Sequence, residues 1–208
     1  MKQYNLGFVS DEEIYNHVKS TVLQYRRSIN LKEFNKNIID PIKLTFDSKI
    51  YGQTMAQTIE SECIRQIDKT NNNRIGYFHQ YLFKLAGNGW EVPANGDKGG
   101  FDVVNEERHI FVEMKNKPSK MKHSAKRALA IKAYDKLLHD KDATVMIVDM
   151  QNLSGINVPW IIRMDDMSFV NERLRIVSID KFYDLIFSHD GAYSQICNAL
   201  PTILSDIN

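Results

Sequence analysis

Residues 102–117 read Asp-Val-Val-Asn-Glu-Glu-Arg-His-Ile-Phe-Val-Glu-Met-Lys-Asn-Lys, and the fold turns on how they are read. Two apolar runs, 101–104 and 109–114, flank the polar Asn105-Glu106-Glu107-Arg108. Apolar runs joined by a few turn-prone residues predict a β-hairpin. Side chains alternate faces along a strand, so Ile110, Val112 and Met114 point one way and Phe111, Glu113 and Lys115 the other. A carboxylate and an ammonium therefore stand side by side, and Asp102 on the first strand reaches the same spot.

Two carboxylates from adjacent strands form a hard oxygen site suited to Mg²⁺. Asp102, Glu113 and Met114 are the expected metal residues. An ion held there polarises a phosphorus centre and lowers the pKa of its water. Lysine, with an ordinary pKa of roughly 10.4, is a poor base at neutral pH, so Lys115 is expected to stabilise charge growing on a phosphate. Asp102, a ten-residue spacer and Glu113-x-Lys115 resemble the PD-(D/E)XK nuclease active site, with Phe101 in place of the proline. The bland alternative is a solvated strand face.

Downstream, Pro118 breaks the strand, and a helix is expected over 119–139 with Ala130, Ile131, Tyr134, Leu137 and Leu138 inward. One turn earlier the same face meets Lys126 and Arg127. The run 143–150 is continuously apolar, which predicts a buried strand in crossover with the Glu113 strand. Residues 108–132 hold eight basic side chains and one acidic one, so a local charge of +7 sits in a chain of net charge +1. Concentrated positive charge suits a phosphate backbone, although a solvated helix face has the same composition. Lys98, Asn116 and Lys117 are expected to face DNA from the loops. Lys120, Lys122, His123, Ser124, Lys126 and Arg127 would do so from the helix start, whose dipole also favours phosphate.

Upstream, Ser10 and Glu13 form a capping box that opens a helix with Ile14, Val18, Val22 and Tyr25 on one stripe. Residues 35–47 read as a loose connection broken at Asp40-Pro41. A helix is expected over 53–69 with Met55, Ala56, Ile59, Cys63 and Ile67 inward. Glu60 or Glu62 could bring a further acid to the metal site, a solvent-exposed glutamate being the plainer reading of each. Asn71-Asn72-Asn73 is expected to interrupt before a second helix over 75–85, whose polar members are His79 and Gln80. The glycine-rich loop 95–100 gives close backbone access ahead of Asp102 and lacks the GxxxxGK[ST] of a nucleotide-binding loop. Strands are expected at 160–163 and 174–179, and helices at 181–187 and 193–204.

With 208 residues, 43% hydrophobic and 25% charged, the chain fits one globular domain. Its expected parts are an N-terminal helical segment over 1–50, a catalytic core over 51–150, and C-terminal strands and helices over 151–208. Cys63 and Cys197 are far apart and read as small buried apolar residues, which suits a reducing compartment. No apolar run approaches membrane-span length and the start lacks a signal-peptide pattern, so a cytoplasmic location is expected.

Several further segments extend the resemblance. Asp40-Pro41 with Phe46-Asp47, Glu62-x-x-Arg65-Gln66, Ile75-Gly76-Tyr77-Phe78-His79-Gln80, Gly89-Trp90, Phe101-Asp102-Val103-Val104-Asn105 and Glu113-Met114-Lys115-Asn116-Lys117 occur in that order. Over residues 35–140 this series resembles a SinI-like family of type II restriction endonucleases that cut GGNCC- and GGWCC-type sites. The resemblance implies an α/β fold with a PD-(D/E)XK core, a central mixed sheet flanked by helices. It implies Mg²⁺-dependent hydrolysis of double-stranded DNA by a homodimer at a short palindrome, and a cognate DNA methyltransferase in the same restriction-modification system. Asp102, Glu113 and Lys115 inherit the catalytic roles, with Glu62 favoured over Glu60 as the helix-borne acid. Where relatives tend to carry His-Asn-Thr-Met-Asn-Ser, this chain has Pro118-Ser119-Lys120-Met121-Lys122-His123-Ser124, which bears on the sequence it reads. The alternatives are a repair or junction-resolving nuclease of the same fold, or a catalytically inactive DNA-binding protein.

Overall fold

A computed structural model describes residues 3–94, 97–164 and 167–207, without the side chains of Lys98, Arg163, Met164 and Met167. In chain order the elements are α1 (Asp11–Gln24), α2 (Leu31–Phe34), α3 (Pro41–Ile50), α4 (Met55–Lys84), β1 (Trp90–Glu91), β2 (Val103–Asn105), β3 (Ile110–Lys115), α5 (His123–His139), β4 (Thr144–Asp149), β5 (Asn157–Pro159), β6 (Ile162–Met164), β7 (Met167–Phe169), β8 (Leu174–Ser178), α6 (Ile179–Phe187) and α7 (Ala192–Ile207). Short 3-10 turns cover Asp97–Gly100 and Pro118–Lys120. The chain forms two compact units, Met1–Val18 with Gln80–Asn208, and Lys19–His79. Among the described residues no helix is long and apolar enough to cross a membrane.

The first unit is built on a mixed six-stranded sheet in the order β1-β2-β3-β4-β8-β5, with β6 and β7 forming a separate hairpin. The expected hairpin is β2–β3, antiparallel with Val103 opposite Val112. The expected crossover is also present: β3 leads through α5 to β4, which pairs with it in parallel and sets Glu113 beside Ile147. β8 extends the parallel set, and β5 closes that edge antiparallel. β4 is buried along Val145–Val148, as its apolar run requires. One apolar cluster joins Val104, Phe111, Val145 and Ile147 of the sheet to Leu129, Ala130, Ala133 and Leu137 of α5. Elsewhere in this unit Phe83 meets Phe182 and Tyr183 edge-on.

Several helix expectations are corrected. α5 begins at His123 rather than Ser119, because residues 118–120 take a 3-10 turn. Its inward residues are Leu129, Ala130, Ala133 and Leu137, whereas Ile131 and Leu138 are exposed. The buried stripe therefore runs along positions 129, 130, 133 and 137, which leaves Ile131 and Leu138 outside it. The strand expected over 160–163 begins two residues later, as β6, and Trp160 lies between it and β5. Cys63 is half-buried and Cys197 exposed, so neither is a core residue. In α1 the capping box is present: Glu13 N–H donates to Ser10 Oγ at 3.2 Å and Ser10 N–H to Glu13 Oε2 at 3.3 Å. Ile14 and Val18 are buried, while Tyr25 beyond the helix is exposed.

The second unit differs most from expectation. Pro41 does not break the chain but starts α3, where its missing N–H costs nothing, and Asp40 caps it by accepting from Ile42 N–H at 2.9 Å. Asn71-Asn72-Asn73 does not interrupt α4, which runs unbroken for 30 residues. Asn71 instead turns its amide onto a neighbouring segment, accepting from Arg26 N–H at 2.8 Å and donating to Arg26 C=O at 3.0 Å. Asn72 donates to Asp68 one turn back. The buried stripe of this part of α4 is polar, made by Thr58, Glu62, Gln66 and Asn71, while Met55 and Ile59 are exposed.

Candidate active site

Strand alternation puts Phe111, Glu113 and Lys115 on the face of β3 that α5 covers. Phe111 is buried in the apolar cluster there. Glu113, two residues on, is also buried and so must be paired. Lys115 Nζ donates to its Oε1 at 2.6 Å, and Lys132 Nζ, from α5, donates to its Oε2 at 2.6 Å. Each oxygen of this carboxylate thus faces an ammonium.

Asp102 lies one residue before β2, and its N–H donates to Val112 C=O at 2.9 Å, continuing the hairpin ladder. Its side chain crosses to β3, where Oδ2 accepts from Met114 N–H at 2.7 Å. Partial burial raises the Asp102 carboxyl above its ordinary pKa, against the downward pull of the Met114 N–H. The charge of Glu113 raises it further, and those of Lys115 and Lys132 lower it. The two acids therefore share one electrostatic environment.

Lys132 escaped the sequence reading. Its Nζ also donates to Gly100 C=O at 2.6 Å and lies 4.4 Å from the centroid of the Phe101 ring. A usable signal was the crossover itself, which lays α5 along β3. A polar residue between Ala130 and Ala133, both buried against the sheet, is placed to meet the strand's polar members.

The expected DNA-facing residues lie mainly beyond the C-terminal end of β3. Lys117 and Lys120 line a cleft of 440 Å³ with Ser119, Asp149, Gln151, Asn152, Leu153 and Ser154. Asn116, Lys122, His123, Ser124 and Arg127 are exposed. Lys122 precedes the first turn of α5, which has no side-chain cap. Lys126 follows the inward face of α5 and holds Nζ 5.8 Å from the Trp160 ring centroid, whereas Arg127 turns away from that face. Of the loop 95–100, Asn95, Gly96 and the Lys98 side chain lie outside the described residues.

Glu62 belongs to the second unit. There it accepts from Arg65 Nε at 2.6 Å and pairs with Arg65 Nη2, and Gln66 donates to it at 3.1 Å. The Arg65 guanidinium chiefly lowers its pKa. Glu60 is exposed.

Two carboxylates offer hard oxygen donors, as a divalent cation requires. Among the described residues no three His, Cys, Asp or Glu side chains gather at one point, so such an ion would need oxygens beyond this acid pair.

The chain matches the family model described as Eco47II restriction endonuclease over residues 6–208. It is 26% identical over 212 residues to the type II restriction enzyme Sau96I of Staphylococcus aureus, covering 97% of this chain and 80% of that protein. It is 29% identical over 210 residues to the type II restriction enzyme Eco47II of Escherichia coli, covering 94% of this chain and 85% of that one.

Proposed function

The chain belongs to the Eco47II restriction endonuclease family, and from that premise we propose that it cuts double-stranded DNA at a short palindrome through Asp102, Glu113 and Lys115. It is a type II site-specific deoxyribonuclease by family. The observation that carries the site assignment is the hairpin geometry. Asp102 reaches across to the Met114 N–H, and Glu113 and Lys115, one residue to either side of Met114, pair with each other.

These residues fit a Mg²⁺ ion. Asp102 and Glu113 would hold it with the Met114 carbonyl, and the substrate and solvent would complete its oxygen shell. When bound, the ion supplies polarisation of the phosphorus centre and offsets charge on the leaving 3′ oxygen as water attacks in line. Lys115 would hold a non-bridging phosphate oxygen and stabilise the charge that builds there. The Met114 N–H keeps Asp102 aimed at the same point throughout, so the acid need not be ordered at the moment of reaction.

The basic residues beyond β3 serve the phosphate backbone. Lys117, Lys120, Lys122, Lys126 and Arg127 supply charge, and Asn116, His123 and Ser124 complete the contact surface. A homodimer would place two such sites on the two strands of a palindrome, with a recognition sequence of the GGNCC type. A cognate methyltransferase would protect the host DNA, and the enzyme would work in the cytoplasm.

Digestion of a mapped phage genome tests this reading. Mg²⁺ should yield discrete limit fragments whose sequenced ends share one short palindrome, and EDTA should stop the reaction. Random nicking would point to a nuclease without sequence choice. Binding without cleavage would point to an inactive DNA-binding protein.

A further inference from the structure

The ion pair that the nuclease chemistry leaves unexplained is the one between Lys132 and Glu113. Glu113 is buried, and both of its oxygens are engaged at 2.6 Å by ammonium groups, Lys115 on Oε1 and Lys132 on Oε2. A carboxylate so occupied has little to offer an entering cation unless one ammonium lets go. Lys115 comes from the same strand two residues away and faces Glu113 by strand geometry alone. Lys132 comes from α5 and has two other anchors. Its Nζ donates to Gly100 C=O at 2.6 Å and lies 4.4 Å from the Phe101 ring centroid. Losing Glu113 would still leave Lys132 a hydrogen bond and a cation–π contact.

The formal charges agree with this asymmetry. Asp102, Glu113, Lys115 and Lys132 together sum to zero, so the four side chains leave no uncompensated charge among them. We infer that Lys132 is a displaceable counter-ion. It neutralises Glu113 while no divalent cation is bound and withdraws to Gly100 and Phe101 when a cation takes the carboxylate. The inference rests on the metal-nuclease reading of Asp102 and Glu113. Its consequence is that this lysine weakens intrinsic metal affinity while keeping the empty site stable.

The test is calorimetric titration of Mn²⁺ into the DNA-free protein, comparing wild type with Lys132→Met, Lys132→Gln and Lys132→Arg. Removing one positive charge a few ångströms from a dication should tighten Mn²⁺ binding roughly 10-fold in the Met and Gln variants, on a Coulomb estimate in a high-dielectric site. Arg keeps the charge and should stay near wild type. The Mn²⁺ concentration that half-saturates cleavage should fall in parallel with the calorimetric constant. If Lys132 were only a structural prop, its loss would loosen the acid pair and weaken metal binding. Mn²⁺ binding in both neutral variants no tighter than in wild type, including no binding by any of them, overturns the inference. Should Met misfold, Gln decides, since it removes the charge while keeping a polar side chain at this partly exposed position. The two readings fail separately. Specific cleavage with unchanged Mn²⁺ affinity removes only the counter-ion, whereas tighter Mn²⁺ binding in a protein that cuts no DNA removes only the nuclease.

Discussion

The backbone N–H of Met114 donates to Oδ2 of Asp102 at 2.7 Å, so a main-chain group of one strand fixes the acid carried by the other. Asn at position 102 keeps an oxygen that can accept this bond, whereas Ala does not. Asp102→Ala should therefore be less stable than Asp102→Asn by about 1 kcal/mol, the usual net value of such a bond. Urea unfolding of the two variants measures the difference, and equal midpoints would show that the bond does not hold the hairpin.

Glu113 carries the opposite stability signature. Replacing it with Gln leaves two partly buried ammonium groups, Lys115 and Lys132, without their counter-charge. Glu113→Gln should lose on the order of 2 kcal/mol in metal-free buffer, because stranding charged partners costs more than the pair itself contributes. Adding Lys132→Met should recover part of that loss, which a double-mutant cycle reads directly.

The hairpin and the α5 crossover were legible because each follows from local rules. The 101–104 and 109–114 runs are apolar stretches separated by turn-prone residues, and sequential strands joined through a helix commonly lie side by side in one sheet. The second unit was misread where tertiary contacts overrode local signals. Asn71 favours a turn when isolated, yet here its amide is consumed by both backbone groups of Arg26, and the helix continues. A stripe search for apolar residues passes over Thr58, Glu62 and Gln66, because their burial depends on partners such as Asn37, which donates to Gln66 at 2.8 Å. Lys132 was missed for the same reason, since its partners are 19 and 32 residues away in sequence.

At the far end of β3, His109 Nδ1 lies 3.0 Å from Oδ2 of Asp140, tying the hairpin to the end of α5. The hydrogen bond to Asp140 raises the His109 pKa, and the same contact lowers that of Asp140. A raised histidine adds stability that is complete below its unfolded pKa and disappears as pH rises through the folded value. Asp140 adds stability above its unfolded pKa that disappears on acidification through its lowered one. The melting temperature of wild type should therefore exceed that of His109→Asn at about pH 6, and the gap should close by about pH 9. Asparagine suits this test because residue 109 has φ 53°, a left-handed conformation that Asn tolerates. A gap independent of pH would assign the contact to packing.

Arg173 closes the end of the α5 segment from the strand side. Its Nη1 donates to the carbonyls of Asp140, Lys141 and Ala143 at 3.2, 2.8 and 3.1 Å, and its Nη2 to that of Leu137 at 3.4 Å. Arg173→Met should cost on the order of 2 kcal/mol by leaving those carbonyls without their charged donor. Denaturant unfolding should show a lower midpoint with an unchanged slope. A changed slope would mean that the segment has come loose instead.

Single-turnover cleavage by Asp102→Asn tests the central claim most directly, with DNA affinity measured alongside in Ca²⁺. If Asp102 and Glu113 hold the catalytic ion, this variant should bind its DNA site as a folded protein and cut it at least about 10²-fold more slowly than wild type. Cleavage at the wild-type rate by that folded variant would contradict the account.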